Sequence, residues 1–160
     1  MTVTWKNKDA ALRKMIKNLA VVDKREVRVG FFDKQYGTEN NNLQVAQVAQ
    51  WMEEGVPANN VPPRPMFRVE LANKINESGS LYFLGSRLND AMEGIGAPTK
   101  SLERVGEYLT GKLQGIIAQG VAPSNSREWS TFKGGLPPLV YTGFMRDSVG
   151  YRIRYKGTRQ

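Results

Sequence analysis

Three prolines fall within four residues near the middle of the chain, at Pro62, Pro63 and Pro65. Proline fixes its own φ angle and disfavours helical geometry in the residue before it. Residues 59–65 are therefore predicted to form a stiff extended elbow between helical regions. Pro65 also suits the first turn of a following helix, because a missing N–H costs nothing there.

Before this elbow, apolar residues recur at the spacing of one helical face. A first helix is predicted with Asn7 or Asp9 as its capping residue. Its predicted buried face consists of Leu12, Met15, Ile16, Leu19 and Val22. A second helix is predicted over residues 43–54, with Asn42 as its cap and Gly55 at its end.

The helical pattern continues after the elbow. One helix is predicted to begin at Pro65 and to be interrupted at residues 76–80. It would bury Phe67, Leu71 and Ile75, which are spaced four apart.

Two further periodic stretches, at residues 81–95 and 102–116, are separated by a break that contains glycine and proline. Thr99 or Ser101 is the expected cap of the second stretch. Together the two stretches predict an antiparallel α-hairpin.

Alternating patterns predict the strands. Residues 25–32 form the clearest strand, and the loop at 33–42 follows it. Residues 149–155 form the last strand, which is expected to turn its tyrosines to the core and its arginines to the other side. Val3 and Trp5 suggest a short edge strand, with Trp5 as a plug over the first helix.

These elements predict a single α+β domain over residues 1–160. A small, mostly antiparallel sheet would pack against a layer of several helices that includes the α-hairpin. A basic tail at residues 156–160 is expected to be flexible.

The composition argues against an enzyme. The 160 residues include no histidine and no cysteine, which excludes histidine acid–base catalysis, thiol catalysis and cysteine metal sites. Glu53 and Glu54 form an adjacent acidic pair, but neighbours on a helix point about 100° apart, so we predict a solvated face. No catalytic, cofactor or metal site is expected. The sequence has no long apolar run, so we predict that it contains no membrane helix and no signal peptide.

The net charge of +8 lies at the two ends of the chain. Residues 1–28 contain eight Lys or Arg and three acidic residues, and residues 127–160 contain seven and two. Such ends suit either a polyanion or acidic protein neighbours. The candidates for contact with DNA or an acidic partner are Arg152, Arg154, Lys156 and Arg159.

Two rigid turns are candidates for protein contact. Arg64 is held between prolines, and Arg68 follows it by four residues, so both suit a carboxylate on a neighbouring subunit. Later in the chain, Thr142 and Gly143 are predicted to cap a short helix at residues 143–148. The proposed interface residues are Pro63, Arg64, Pro65, Arg68, Thr142, Gly143 and Arg146.

Three segments in order carry a resemblance to a known family. They are an alanine-containing helix that ends in Glu53-x-Gly55, the Pro-Pro-Arg-Pro elbow at 62–65, and Leu139-x-x-Thr-Gly-x-Met145-x-x-Ser-Val. Together they resemble the small tail-completion, or neck, proteins of long-tailed bacteriophages, over about residues 25 to 155. Two positions depart from the family pattern: Met66 precedes Phe67 where the family has Phe directly after Arg-Pro, and Met145 replaces a Leu.

The resemblance implies a structural virion protein in the tail or neck, assembled in the host cytoplasm. Such proteins form rings, commonly hexamers, around the DNA channel, with tail-terminator and head-completion proteins as neighbours. The resemblance also implies no catalytic residues. The alternative from the charge pattern is a basic nucleic-acid-binding accessory protein. A ring with unlike contact surfaces needs two patches on each subunit. The loop at 33–42 with the elbow at 57–65 is one candidate patch, and the basic C-terminal strand and tail are the other.

Overall fold

The structure is a computed structural model that describes the backbone of residues 5–157 and the side chains of residues 9–38 and 40–157. The predicted α+β class is confirmed. The described part contains seven α-helices and one two-stranded antiparallel sheet. In chain order the elements are α1 (Trp5–Asp23), β1 (Arg25–Phe31), α2 (Val45–Glu54), α3 (Ala72–Asn76), α4 (Ser78–Glu93), α5 (Pro98–Gln119), α6 (Arg127–Phe132), α7 (Phe144–Asp147) and β2 (Val149–Tyr155).

Short tighter or wider helical turns complete the chain. Two 3₁₀ turns lie at Thr38–Asn40 and Pro57–Asn59. A π-helical segment, Met66–Leu71, leads directly into α3, and its wide turn shows in the bond from the Glu70 N–H to the Pro65 carbonyl, 3.2 Å away.

The chain divides into two compact units. The hairpin unit contains residues 5–28, 78–108 and 152–157 of the described chain, and the core unit contains residues 29–77 and 109–151. Both strands and α5 contribute residues to each unit.

The core unit has a continuous apolar core. Residues of α2, the π-helical segment, the C-terminal half of α5, α7 and the start of β2 are buried together. The buried members are Val45, Ala49, Met66, Leu71, Leu113, Ile116, Ile117, Val121, Met145 and Val149. Phe31 and Phe67 add an edge-to-face ring pair at 6.1 Å.

The hairpin unit is held together differently. Helix α1 packs on α4, and the Asn18 side chain donates to the Met92 carbonyl at 3.2 Å. Helix α4 runs antiparallel to the start of α5, so the predicted α-hairpin is present, and Phe83 stacks on Tyr108 at 4.2 Å. The side chains buried most completely are small ones, such as Ser80, Ala91 and Ser101.

Helix α1 corrects two predictions about the N-terminal region. The helix already includes Trp5, so Trp5 is not part of an edge strand, and Asn7 and Asp9 lie inside the helix instead of capping it. No Pro or Gly stands between residues 5 and 9 to stop it. Val3 and the Trp5 side chain lie outside what the structure describes.

The predicted buried face of α1 is wrong for three of its five residues, and only Met15 and Val22 are partly buried. Leu12, Ile16 and Leu19 are 57%, 58% and 42% exposed. They lie on one helical face, as the spacing predicts, but no other element of the described chain covers that face. We call these three residues the α1 apolar stripe.

Other boundaries shift by one to four residues. Helix α2 begins at Val45 with Gln44 before it, because Asn42 has a left-handed φ of 52° in the preceding turn. Gly55 ends α2 as predicted. Helix α5 begins at Pro98, so Thr99 and Ser101 lie within it.

Three further regions test the predictions. The predicted interruption near residue 77 is confirmed, since Glu77 separates α3 from α4 with ψ 140°. Helix α6 was not predicted. Strand β2 is confirmed, but Tyr155 is exposed, which contradicts its assignment to the core. It lies against Arg25, whose NH2 donates to the tyrosine hydroxyl at 3.1 Å.

Candidate functional site

A buried carboxylate organises the elbow. Glu53 accepts hydrogen bonds from the backbone N–H groups of Phe67 and Arg68, both at 2.9 Å, and from Arg68 Nε at 3.1 Å. The helix after Pro65 has no capping side chain at its own N-terminus, so the carboxylate satisfies the free N–H groups of its first turn. Glu53 is buried, and the prediction of a solvated face is therefore wrong.

The end of α2 and the elbow are also in backbone contact. The Arg64 N–H donates to the Met52 carbonyl at 2.6 Å. Gly55 has a φ of 78°, and a Cβ at this position would lie 2.8 Å from the nitrogen of Pro63. Only glycine tolerates both the conformation and the contact. The Glu-x-Gly and Pro-Pro-Arg-Pro segments thus form one structural element.

Arg64 reaches from the elbow to a distant loop. Its Nε donates to the Pro123 carbonyl at 3.1 Å, 59 positions along the chain, and the residue is only 7% exposed. Burial lowers the pKa of its guanidinium from the ordinary value. The side chain lines a cavity of about 650 Å³ between the elbow and the loop at residues 123–129, which we call the elbow cavity.

Lys133 is a second buried cation in the core unit, at 6% exposure. Its ammonium group donates to the Pro137 carbonyl at 2.8 Å. Burial, and then repulsion from the nearby charge of Arg64, lower the pKa of Lys133. Among the residues that the structure describes, neither Lys133 nor Arg64 forms an ion pair with a carboxylate.

The remaining elbow residues are placed differently. The Arg68 side chain is mostly exposed and binds Glu53 of its own chain, through Nε to the carboxylate and through NH2 to the backbone carbonyl at 3.1 Å. This intramolecular partner differs from the carboxylate on a neighbouring subunit that the sequence predicts for Arg68. Pro63 is exposed and Pro65 is half-buried, so both present their rings at the surface of the elbow.

The second predicted turn, at Thr142 and Gly143, leads into α7. Gly143 has a left-handed φ of 82°, and Thr142 Oγ1 accepts from the Phe144 N–H at 3.3 Å. Thr142 thus accepts from the first residue of α7, as a capping residue next to the start of a short helix would. Arg146 forms a two-point ion pair with Asp147, at 2.7 and 3.1 Å, which lowers the pKa of that carboxyl.

An exposed row of aromatic rings extends from the elbow cavity to the turn at Thr142 and Gly143. Trp129 stacks on Phe132 at 5.0 Å, and Phe132 stacks on Tyr141 at 5.8 Å. Each ring is more than half exposed. Trp129 lines the elbow cavity, and Tyr141 lines a second cavity of about 640 Å³ beside Thr142 and Phe144. We call Trp129, Phe132 and Tyr141 the aromatic ridge.

In the sequence, Trp129 and Phe132 stand in the polar segment 121–135, which is rich in glycine and serine. The ridge and Lys133 were missed as parts of a site. The signal available was the i, i+3 spacing of the two aromatic residues, which places them on one helical side.

The basic C-terminal residues do not form a free charged surface. Arg152 and Arg154 are half-buried, and Lys156 Nζ pairs with Asp23 at 3.1 Å. The Lys156 N–H also donates to the Lys24 carbonyl at 2.9 Å, so this residue continues the strand ladder. Arg159 lies outside the described residues.

Comparisons with protein-family models, with curated proteins and with solved structures find no match. Within residues 5–157, no helix has the length and apolar character needed to cross a membrane.

Proposed function

We propose that this chain is a structural virion protein of a bacteriophage, a non-enzymatic subunit of a ring at the head–tail interface around the DNA channel. The observation that carries the proposal is the α1 apolar stripe. Its residues have the spacing of a core-facing helix, and yet they are exposed. An aligned apolar face that residues 5–157 leave uncovered is typical of a surface that another subunit covers.

Burial of the α1 apolar stripe by another subunit would contribute favourable free energy to assembly. Complete burial of a Leu or Ile side chain contributes about 1.5–3 kcal/mol. The stripe residues are roughly half exposed, so the three together offer on the order of 3 kcal/mol. That amount favours association only alongside further contacts, as expected of a ring in which each subunit uses several surfaces.

The second surface that a ring requires would be the aromatic ridge of the core unit. A ring with heterologous contacts needs two unlike patches on each subunit. Exposed aromatic side chains supply large contact area and are enriched at protein interfaces. The ridge lies beside the elbow cavity and beside the Thr142 turn, so it borders the interface residues proposed from the sequence.

The second candidate, a nucleic-acid-binding accessory protein, rests on the net charge of +8. The pairing of Lys156 with Asp23 and the partial burial of Arg152 and Arg154 reduce the charge that duplex DNA would meet. Titration with duplex DNA at several salt concentrations separates the candidates. Tight, sequence-selective binding would favour the accessory protein, whereas the ring proposal expects at most weak, salt-sensitive binding.

Protein mass spectrometry of purified phage particles from a host that expresses this chain tests the assignment. The ring proposal predicts a stoichiometric component at a few to about a dozen copies per particle, as closed symmetry requires. The major tail protein in the same spectrum serves as the reference for copy number. Absence of the chain from mature particles would overturn the assignment.

A further inference from the structure

The two buried cations of the core unit lack a counter-charge in the described chain. Arg64 and Lys133 are each more than nine-tenths buried, and the hydrogen bonds that they donate go to the carbonyls of Pro123 and Pro137. Carbonyl bonds satisfy single donors but do not neutralise a charge. A buried charge is costly unless it is paired, and two nearby like charges increase that cost.

The carboxylates of the neighbouring motifs are already occupied. Glu53 binds two backbone N–H groups and Arg68, and Asp147 binds Arg146 through both of its oxygens. No carboxylate of the described chain pairs with Arg64 or Lys133, so a carboxylate that neutralises them would have to come from outside it.

We propose that the elbow cavity binds a carboxylate side chain on an extended segment of a protein partner. Arg64 lines the cavity, and only its Nε donates a hydrogen bond within the described chain, which leaves its NH1 and NH2 donors for a carboxylate. Arginine binds a carboxylate through two parallel hydrogen bonds, a geometry that suits a planar acidic group.

The lining of the cavity favours a peptide as the carrier of this carboxylate. Met52, Val61, Pro62 and Trp129 supply an apolar wall. The side-chain amides of Asn59 and Asn60 lie at the same cavity and can pair with the backbone of an extended segment. A glutamate with an apolar neighbour would use both kinds of surface.

The depth of the site argues against nucleic acid. Phosphates of a duplex meet cations that project from a protein surface, whereas Arg64 is 7% exposed and Lys133 is 6% exposed. A carboxylate on a flexible side chain reaches a buried guanidinium more readily than a phosphodiester backbone does.

This inference rests on the proposed assembly role, since it names the chemistry of the partner that the core unit would bind. Arg64 also has a structural role within the core unit. The residue joins the elbow to the loop at Pro123, so its replacement by Ala should weaken the fold of the core unit as well as the interface.

The test is a titration of the whole protein with two blocked tripeptides, acetyl-Leu-Glu-Leu-amide and acetyl-Leu-Gln-Leu-amide. The indole N–H signal of Trp129, identified by its loss in Trp129→Phe, reports occupancy of the cavity in ¹H–¹⁵N spectra. We expect the glutamate peptide to move this signal with saturation, and the glutamine peptide to bind about tenfold more weakly or worse. Both peptides are titrated into the wild-type protein, and Trp129→Phe serves only to identify the signal.

Lys133 lies near Arg64 but does not line the elbow cavity. Lys133→Met should weaken the glutamate peptide about tenfold, since it removes this nearby positive charge and retains an apolar chain of similar length. Arg104→Met, which removes an exposed charge from α5, is the matched control and should leave the affinity unchanged. Equal affinity for the two peptides, or no saturable shift of Trp129, would overturn the proposal. Inorganic phosphate is titrated in parallel, and tighter binding of phosphate than of the glutamate peptide would also overturn it. Failure here leaves the particle composition unaffected, so the two proposals fail separately.

Discussion

The two units of this chain use the same kind of helix with opposite outcomes. In the core unit, Met66, Leu113 and Ile117 are excluded from solvent. In the hairpin unit, Ala91 is the one apolar residue that is fully buried among those described, while Leu12 and Ile16 remain more than half exposed. Periodicity reveals which residues share a face. It does not reveal whether the same chain covers that face.

From this contrast we infer that the two units have different roles. The core unit contains ten of the eleven buried apolar residues of the described chain, and its motif residues are fixed by hydrogen bonds. Among the described residues of the hairpin unit, only small side chains are fully buried, and the larger apolar ones are half-buried or exposed. We infer that the core unit provides stability and that the hairpin unit provides surface for assembly.

The largest expected effect comes from truncation in the core. Met66→Ala should lower the free energy of unfolding by about 2–5 kcal/mol, because it removes a fully buried side chain and leaves a cavity. Ile16→Ala in the hairpin unit is the matched truncation and should change it by less than about 0.5 kcal/mol in dilute protein. Urea denaturation measures both. Similar losses for the two variants would remove the distinction between the units.

The next largest effect is expected at Glu53, the buried carboxylate that caps the first turn after Pro65. Glu53→Gln should cost about 2 kcal/mol, since it weakens charge-assisted bonds to two backbone N–H groups and to Arg68. Glu54→Gln, at the exposed neighbouring position, should cost less than about 0.5 kcal/mol. Thermal unfolding of the pair separates a cap from general loss of negative charge. Equal melting temperatures would argue against the cap.

Lys133 predicts a pH dependence. Its pKa is lowered in the folded protein, so the folded state releases this proton at a lower pH than the unfolded chain does. Between the lowered pKa and about 10.5, the unfolded state binds more protons, and the free energy of unfolding should rise with pH.

Lys133→Met removes this titration. The stability of the variant relative to wild type should therefore be highest near pH 7 and should decline as the pH approaches 10. Denaturant unfolding at pH 7, 8.5 and 10 measures the change, with Lys100→Met as the control for net charge. A relative stability that stays constant or rises with pH would show that Lys133 is not held at a charge penalty.

The smallest effect is expected at the turn before α7. Thr142→Val retains the shape of the side chain and removes the acceptor for the Phe144 N–H. The bond is long and exposed, so the cost should be about 0.5 kcal/mol. A decrease of more than about 2 kcal/mol would indicate a contact of Thr142 beyond this bond.

Local rules sufficed to predict much of the fold. Strand β1, strand β2, the break at Glu77 and the end of α2 at Gly55 follow from alternation, periodicity and turn chemistry. The cap at Glu53 does not, because its partners lie 14 and 15 positions away and are backbone groups without a residue-type signal.

The elbow cavity was beyond sequence reasoning for the same reason. Arg64 meets Pro123 across 59 positions, and the charge of Lys133 becomes significant only when burial brings it near Arg64. The sequence predicts that the backbone of Arg64 is held rigidly between prolines, but it does not predict that its side chain is buried. The exposure of the α1 apolar stripe likewise depends on which elements the rest of the chain provides.

Sedimentation equilibrium of the isolated protein tests the central claim most directly. The comparison is between wild type and a variant with Leu12→Gln, Ile16→Gln and Leu19→Gln, which retains good helix formers on α1. Wild type should show a mass that rises reversibly with concentration above the 17.9 kDa of the single chain, while the variant, with unchanged helical circular dichroism, stays at that mass. A wild-type protein that remains at 17.9 kDa into the hundred-micromolar range, or a variant that associates equally well, would contradict the assembly role of the hairpin unit.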